Sequence, residues 1–275
     1  MKEKLFLNGE FVSSQEAKAE VYEPGFLYGI GTFETMRAYQ GKIVSLDAHL
    51  ERIKSSSKAI GIKVPYAPGK LKEAIRAIVK INSLSDARVR MTFWKTSKGS
   101  VVLIAAEKYR PHTAAQYRKG FSACVSSLRQ SDPALAMIKS TNRLLYELSM
   151  QEAKAKGADE AIILNHDNYI TEACRSNLFF AKDGKLFTPA LECGCLNGVT
   201  RRIVLDLSGK LKIPVQEGSF TIQDLYRAEE AFLTNSLMGV MPLASLEKIR
   251  IGKGIMGKTA QSLLEKYRVL LRHGN

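Results

Sequence analysis

The 275-residue sequence predicts an α+β protein built in two parts. Short segments in which apolar and polar residues alternate indicate strands, and longer segments with apolar residues on one helical face indicate helices. Residues 110–120 are polar, include Pro111 and interrupt this pattern. We therefore expect a small N-terminal α/β domain over residues 1–109, a linker over 110–120 and a larger C-terminal domain over 121–275.

The expected N-terminal domain starts with a hairpin over residues 4–12, because Asn8-Gly9 favours a tight two-residue turn. Residues 26–39 read as a strand region interrupted by glycine. Apolar positions then predict helices over 47–58 and 70–81, and alternation predicts strands. The remaining strands of this part are expected at 43–44, 87–94 and 101–106.

The C-terminal part alternates strands and helices. A helix over 142–156 is expected to end at Gly157, since glycine is common just beyond helix ends. A second helix follows over 199–211, and a terminal helix covers 258–273. Strands are expected at residues 121–127, 160–164, 177–181, 186–187 and 230–233.

The composition is that of an ordinary globular chain, with 45% hydrophobic and 25% charged residues. No apolar run approaches the roughly 20 residues that span a bilayer, and the first residues lack the apolar core of a signal peptide. Four cysteines fit a reduced, cytoplasmic protein. The spacing of Cys193 and Cys195 is too short for a usual zinc site, so we expect no metal.

The net charge of +14 raises the question of nucleic-acid binding. The lysines are spread along the chain, and no basic motif interleaved with aromatic residues is present. We therefore expect a basic solvated surface, with neither nucleic acid nor membrane as a partner.

Lys139 is the first chemical candidate. It follows the largely apolar stretch 134–138, which is unusual for a surface lysine. Partial burial disfavours the charged form of an amine and makes it a usable nucleophile. Burial alone is ambiguous, so the interpretation depends on the other polar residues of the chain.

Four further residues are candidates for binding an anionic, aromatic group. Glu172 offers a carboxylate for a ring nitrogen, and Arg52 offers a guanidinium on a helix face. Thr200 opens a helix, whose free amides bind anions, and Ser236 ends an apolar strand. Taken singly, each also fits a plain role: a loop glutamate, a surface arginine, a helix cap and a turn.

Taken together and in this order, the chain resembles the class IV pyridoxal 5'-phosphate (PLP) dependent aminotransferases, which have fold type IV. That family includes D-amino acid transaminases, branched-chain transaminases and aminodeoxychorismate lyases. The resemblance runs over nearly the whole chain. It is carried by residues 25–35, the lysine segment 138–144, and residues 170–179, 197–201 and 234–236.

The resemblance implies a two-domain PLP enzyme that forms homodimers. Lys139 is similar to the Schiff-base lysine that also moves the substrate proton, and Glu172 to the glutamate at the pyridine nitrogen. The implied phosphate ligands are Arg52, the backbone amides of Val199 and Thr200, and Ser236. Asn177 is implied at the cofactor, Phe33 and Glu34 at the lining of the site, and Leu237 at the substrate.

The substrate is less constrained by the sequence. Arg88 and Arg90 are spaced by two on a predicted strand, so both face one side, and one or both are candidates for gripping a carboxylate. The Arg-x-His trap of well-known D-amino acid transaminases is missing, because Phe93-Trp94-Lys95 stands at that place.

Arg143 occupies the place where branched-chain enzymes usually have tyrosine, which weakens that interpretation. The triplet Asn142-Arg143-Leu144 and residues 237–242 resemble some aminodeoxychorismate lyases, which release pyruvate to form 4-aminobenzoate. The sequence-based prediction is a transaminase, with D-amino acids first, aminodeoxychorismate lyase as the alternative and branched-chain amino acids third.

Overall fold

The computed structural model describes residues 3–273, which divide into two compact units. The first comprises residues 3–110, 138–142 and 270–273, and the second comprises residues 111–137 and 143–269. The expected α+β class is confirmed, and the structure contains two sheets. The lysine segment 138–142 belongs to the first unit, whereas the sequence had placed it inside the C-terminal domain.

The first unit is built on a six-stranded sheet whose strands are β1 (Lys4–Leu7), β2 (Glu10–Ser13), β3 (Gly31–Tyr39), β4 (Lys42–Ile43), β5 (Ala87–Thr96) and β6 (Gly99–Lys108). The sheet is antiparallel, with strand order β2-β1-β6-β5-β3-β4. Its helices are α1 (Pro24–Leu27), α2 (Leu46–Ala59) and α3 (Pro68–Ile81). The Asn8-Gly9 hairpin is as expected, while residues 24–27 form a short helix where a strand was predicted to begin.

The core of the first unit lies between the sheet and helices α2 and α3. Alternate residues of β5, Val89, Met91 and Phe93, are fully buried, and Ile53 of α2 and Ile75 of α3 belong to the same cluster. Burial of each large apolar side chain contributes about 1.5–3 kcal/mol, so this layer fixes which face of β3 and β5 turns toward the helices. The opposite face of β5 carries Arg88, Arg90 and Trp94.

The second unit carries a nine-stranded mixed sheet. Its strands are β7 (Phe121–Gln130), β8 (Glu160–Asn165), β9 (Ile170–Ala173), β10 (Asn177–Lys182), β11 (Lys185–Pro189), β12 (Val215–Gly218), β13 (Glu230–Asn235), β14 (Gly239–Leu246) and β15 (Ile249–Arg250). The strand order is β12-β11-β10-β13-β14-β7-β8-β9, and β15 pairs with β14 outside this path. Its helices are α4 (Ala114–Lys119), α5 (Pro133–Ala136), α6 (Leu144–Ala155), α7 (Val199–Lys210) and α8 (Ile222–Tyr226), with a 3₁₀ turn at Leu191–Cys193; α9 (Lys258–His273) lies in this unit as far as residue 269.

The expected linker 110–120 contains helix α4 instead of irregular chain. Thr113 caps this helix through its hydroxyl, and Gln116 returns a bond to the backbone of Thr113. This reciprocal capping box satisfies amides that a short polar helix would otherwise leave unpaired, and apolar periodicity does not reveal it.

Strands β10 and β13 form the centre of the second unit. Phe179 and Phe232 are buried there and stack with ring centroids 5.2 Å apart. Helix α7 packs against β13. Within residues 3–273, no helix combines the length and the apolar character that crossing a bilayer requires.

Candidate active site

The Lys139 segment is bound to strand β3 through its backbone. The amide of Phe33 donates to the carbonyl of Lys139 at 3.0 Å, and the amide of Thr141 donates to the carbonyl of Gly31 at 2.9 Å. The amide of Lys139 donates to Ser56 Oγ of α2 at 3.2 Å. The lysine is therefore held by the sheet and helix of the first unit.

Gly31 permits this close approach. A Cβ atom at this position would lie 2.7 Å from Thr141 Oγ1 and 2.9 Å from the carbonyl oxygen of Phe93. Both distances are shorter than real Cβ contacts, so a side chain at residue 31 would push the lysine segment away from β3.

The ring of Phe33 has two cationic side chains beside it. Lys139 Nζ lies 4.8 Å from the ring centroid, and Arg90 Cζ lies 4.0 Å from it. An aromatic face attracts cations at these distances, so Phe33 orients both groups. The amine of Lys139 and the guanidinium of Arg90 thus lie beside the same ring.

Arg88 has different surroundings. Its Nη1 donates to Glu107 at 3.0 Å, and both side chains are about half exposed at 42% and 58%. In the sheet register, Arg88 faces Glu107 on β6, whereas Arg90 faces Ala105. The two arginines predicted as carboxylate ligands therefore have different partners. Arg88 forms an exposed ion pair with Glu107, whereas Arg90 lies against the ring of Phe33.

Arg52 is bound to an acid inside the first unit. Its Nε and Nη2 each donate to Glu34 at 2.7 Å, and the Glu34 side chain is fully buried. His49 Nδ1 completes the cluster at 2.7 Å from Glu34 Oε2. Arg52 was predicted as a phosphate ligand, and the structure shows it paired with Glu34 through two of its nitrogens.

Burial and neighbouring charges shift the pKa values of Glu34 and His49 in this cluster. Burial alone would raise the pKa of Glu34, but the charge of Arg52 and the hydrogen bonds from Arg52 and His49 outweigh it and lower the pKa to about 2. Burial lowers the pKa of His49, which Glu34 opposes only in part. The cluster therefore carries an ionised Glu34 at neutral pH, balanced by Arg52.

Glu172 lies on β9 in the second unit and is 6% exposed. Its Oε1 accepts a hydrogen bond from the hydroxyl of Tyr146 at 2.9 Å. Its Oε2 accepts from Asn177 Nδ2 and from the amide of Leu196, each at 3.2 Å. A carboxylate with this set of donors is held in one orientation.

The start of helix α7 has the features of an anion site. Gly198 caps the helix without any side-chain hydrogen bond, and a Cβ there would lie 2.0 Å from Asn177 Oδ1. The hydroxyls of Thr200 on this helix and Thr234 on β13 are buried without a hydrogen-bond partner among residues 3–273. Buried hydroxyls are rarely left in this way, so their geometry fits a ligand with acceptor oxygens.

The chain segment after β13 is a tight polar turn. Asn235 Oδ1 accepts hydrogen bonds from the amides of Leu237 and Met238, each at 3.0 Å. Ser236 lies within this turn and is half-buried. The turn therefore fixes the two predicted positions Ser236 and Leu237 directly after the strand that carries Thr234.

The structure groups the predicted residues by unit. Lys139, Phe33, Glu34, Arg52, Arg88 and Arg90 lie in the first, and Glu172, Asn177, Val199, Thr200, Ser236 and Leu237 in the second. Sequence reasoning missed Tyr146, Ser56 and His49, because their contacts depend on distant parts of the chain. It also missed Thr234, although the position of this residue near the end of an apolar strand was a signal that could have identified it. Across residues 3–273, no cluster of His, Cys, Asp or Glu could hold a metal ion.

Comparison with known proteins identifies the family. Residues 31–246 match the model of the amino-transferase class IV family. A putative branched-chain-amino-acid aminotransferase of Methanocaldococcus jannaschii is 30% identical over 278 residues, covering 96% of this chain and 95% of that protein. An aminodeoxychorismate lyase of Bacillus subtilis is 29% identical, covering 90% and 88%, and a D-alanine aminotransferase of Listeria monocytogenes is 29% identical, covering 94% and 93%.

Among solved structures, the branched-chain aminotransferase of the archaeon Thermoproteus uzoniensis with norvaline matches with a TM-score of 0.91 and 32% identity, covering 99% of this chain and 96% of that one. A further branched-chain amino acid aminotransferase, solved with pyridoxamine 5'-phosphate, matches with a TM-score of 0.94 and 30% identity, covering all of this chain and 96% of that one. The predicted family and fold type are thereby confirmed, as is the prediction of an enzyme. The chain belongs to the class IV aminotransferases.

Proposed function

We propose that this enzyme transfers amino groups between branched-chain amino acids and 2-keto acids. The observation that carries the proposal is the pairing of Lys139 and Arg90 at the ring of Phe33. Transamination needs an amine that moves a proton at the substrate Cα and a cation that holds a carboxylate nearby. The positions of Lys139 and Arg90 beside Phe33 support these two assignments.

The cofactor is pyridoxal 5'-phosphate. Its fit is supported by the partnerless hydroxyls of Thr200 and Thr234 within the described residues, the open helix start at Gly198, and the oriented carboxylate of Glu172. The proposed phosphate ligands are the amides of Val199 and Thr200, the hydroxyls of Thr200 and Thr234, and Ser236. Glu172 is proposed at the pyridine nitrogen, with Asn177 fixing Glu172.

Each residue then has a proposed task. When bound, the cofactor supplies an electron sink for charge that develops at the substrate Cα. Lys139 would hold the cofactor through its side-chain amine, and as a free amine it would move the proton at the substrate Cα. Arg90 holds the substrate carboxylate, and Phe33 orients both cations. Arg52 and His49 keep Glu34 of strand β3 ionised.

The branched-chain preference replaces D-amino acids as the leading substrate proposal. It draws support from the many branched-chain aminotransferases among the similar proteins. It also fits the absence of an Arg-x-His trap at Phe93-Trp94-Lys95. Aminodeoxychorismate lyase remains the second candidate, favoured by Asn142-Arg143-Leu144 and by the similar Bacillus subtilis enzyme.

A homodimer is part of the proposal. Residues 21–28 of the first unit carry several large apolar side chains that are more than half exposed, among them Tyr22, Phe26 and Tyr28. Apolar groups concentrated in one exposed segment are typical of an interface with another chain.

The four cysteines are free thiols, which agrees with the proposed reducing, cytoplasmic location.

A half-reaction screen tests the substrate. The PLP-loaded protein is mixed separately with L-leucine, L-valine, D-alanine and aminodeoxychorismate, and conversion to pyridoxamine 5'-phosphate is followed by absorbance. We expect conversion by L-leucine and L-valine, with the Lys139→Ala variant inactive. Faster conversion by D-alanine would reject the branched-chain assignment. Pyruvate release from aminodeoxychorismate without conversion by any amino acid would make the protein a lyase.

A further inference from the structure

Tyr146 donates a shorter hydrogen bond to Glu172 than Asn177 or Leu196 does. It lies in the first turn of α6, and its hydroxyl donates to Oε1 at 2.9 Å, against 3.2 Å for the donors from Asn177 and Leu196. The phenol therefore approaches one carboxylate oxygen while the amide donors occupy the other.

The phenol of Tyr146 remains a donor at any working pH. Burial raises its pKa above the usual range, and the negative charge of Glu172 together with the hydrogen bond to it raises it further. Arg143 acts in the opposite direction without cancelling these effects. A tyrosine in this state keeps its proton and donates a hydrogen bond to the carboxylate.

The guanidinium of Arg143 lies over the ring of Tyr146. Its guanidinium carbon is 4.4 Å from the centroid of the Tyr146 ring. Nη2 donates to the carbonyl of Cys174 at 2.7 Å, and Nε is 3.7 Å from Glu147. A positive charge over the ring stabilises charge on the phenol oxygen, which makes the hydroxyl a stronger donor.

We propose that Tyr146, with Arg143 on its ring, is a positioning residue that weakens Glu172 as a base. This inference rests on the proposed role of Glu172 at the pyridine nitrogen. A carboxylate that already accepts several hydrogen bonds takes up a further proton less readily. The proton shared with the ring nitrogen of the cofactor then stays on that nitrogen, as the electron-withdrawing role requires.

The proposal also gives Arg143 a task. At this place a branched-chain enzyme was expected to have tyrosine, and substrate binding was one option for the arginine. The contacts to Cys174, Tyr146 and Glu147 assign Arg143 to the surroundings of Glu172 instead.

The decisive experiment uses the protein without cofactor. Glutamate carboxyl carbons are labelled with ¹³C, and each signal is followed by NMR as a function of pH, with Glu172→Gln identifying the signal of residue 172. In Tyr146→Phe, the titration midpoint of Glu172 should move to higher pH by about 1 unit or more, because the charged form loses a hydrogen bond. Arg143→Gln should give a smaller shift in the same direction.

Glu147→Gln serves as the matched control, since it removes the 3.7 Å ion pair of Arg143 and leaves the Tyr146–Glu172 contact in place. We expect no shift in this variant. If Tyr146→Phe fails to fold, 3-fluorotyrosine placed at residue 146 provides a stronger donor and should move the midpoint to lower pH. An unchanged midpoint in the folded variant would overturn the proposal.

A second readout uses cofactor labelled with ¹⁵N at the pyridine nitrogen. In the loaded Tyr146→Phe protein, this resonance should move toward the unprotonated value. An unmoved resonance would contradict the proposed effect on the cofactor. If the wild-type protein fails to bind PLP, the proposed function falls, whereas the cofactor-free titration still decides the Tyr146 contact.

Discussion

The hydroxyl of Ser56 accepts a hydrogen bond from the backbone amide of Lys139 at 3.2 Å. Ser56 is 3% exposed on α2, and its neighbour Ser57 bonds instead to Thr32 Oγ1 at 2.8 Å. Two adjacent serines of one helix therefore hold the lysine segment and the start of β3. This arrangement allows the contribution of each contact to be measured separately.

Ser56→Ala should increase the mobility of Lys139. The variant leaves a partly buried amide without its acceptor, which costs about 1–3 kcal/mol. We expect faster hydrogen exchange at the residue 139 amide and a lower kcat, measured by exchange mass spectrometry and steady-state kinetics. Ser57→Ala, which breaks the Thr32 contact, should leave exchange at residue 139 unchanged. Equal exchange at residue 139 in both variants would contradict the assignment.

Glu34→Gln should destabilise the protein at neutral pH by about 3–5 kcal/mol, because Arg52 loses its buried counter-charge. The pKa of Glu34 is lowered from 4.5 to about 2, so its stabilising effect is complete above about pH 4.5 and is lost as the pH falls toward 2. Urea unfolding across this range should show the difference between wild type and variant shrinking with acid.

The exposed pair Arg88–Glu107 provides the control for this experiment. Glu107→Gln should change the free energy of unfolding by less than about 1 kcal/mol at every pH tested. A Glu34→Gln effect as small as that of the control would show that the buried cluster contributes little to stability.

Arg90 and Arg88 offer a matched pair of substitutions on one strand face. Arg90→Leu should raise KM for amino acid substrates by roughly tenfold or more, since a carboxylate loses a charge-assisted hydrogen bond, while absorbance of the bound cofactor persists. Arg88→Leu should leave KM nearly unchanged, because Arg88 is engaged with Glu107 in an exposed pair. Equal KM values for both variants would remove Arg90 from the substrate site.

Thr200→Val and Thr234→Val should have opposite effects with and without cofactor. Each removes a buried hydroxyl that has no protein partner within residues 3–273, so the cofactor-free protein should be as stable as wild type or more stable. Affinity for PLP should fall, because the phosphate loses a donor. Thermal unfolding and cofactor titration measure the two effects.

Thr188→Val is the control for these two variants, since the Thr188 hydroxyl is buried and bonded to the Leu178 carbonyl at 2.7 Å. It should destabilise the cofactor-free protein. Destabilisation of the same size in Thr200→Val would mean that its hydroxyl has a partner within the protein.

The sequence by itself determined the α+β class, most of the helices and strands, and the family, because these depend on local periodicity and on short segments in a fixed order. The helix predicted over 70–81 is observed as Pro68–Ile81, and the strand predicted over 87–94 as Ala87–Thr96. The predictions of Lys139 and Glu172 as site residues likewise come from their segments.

Tertiary structure alone decided which candidate side chain meets which partner. A period of two places Arg88 and Arg90 on the same face, and only the pairing of β5 with β6 sets Glu107 opposite Arg88 and Ala105 opposite Arg90. The same holds for Tyr146, whose hydroxyl meets Glu172 across 26 residues of chain. Such contacts arise from strand register and packing between distant segments, which no local pattern encodes.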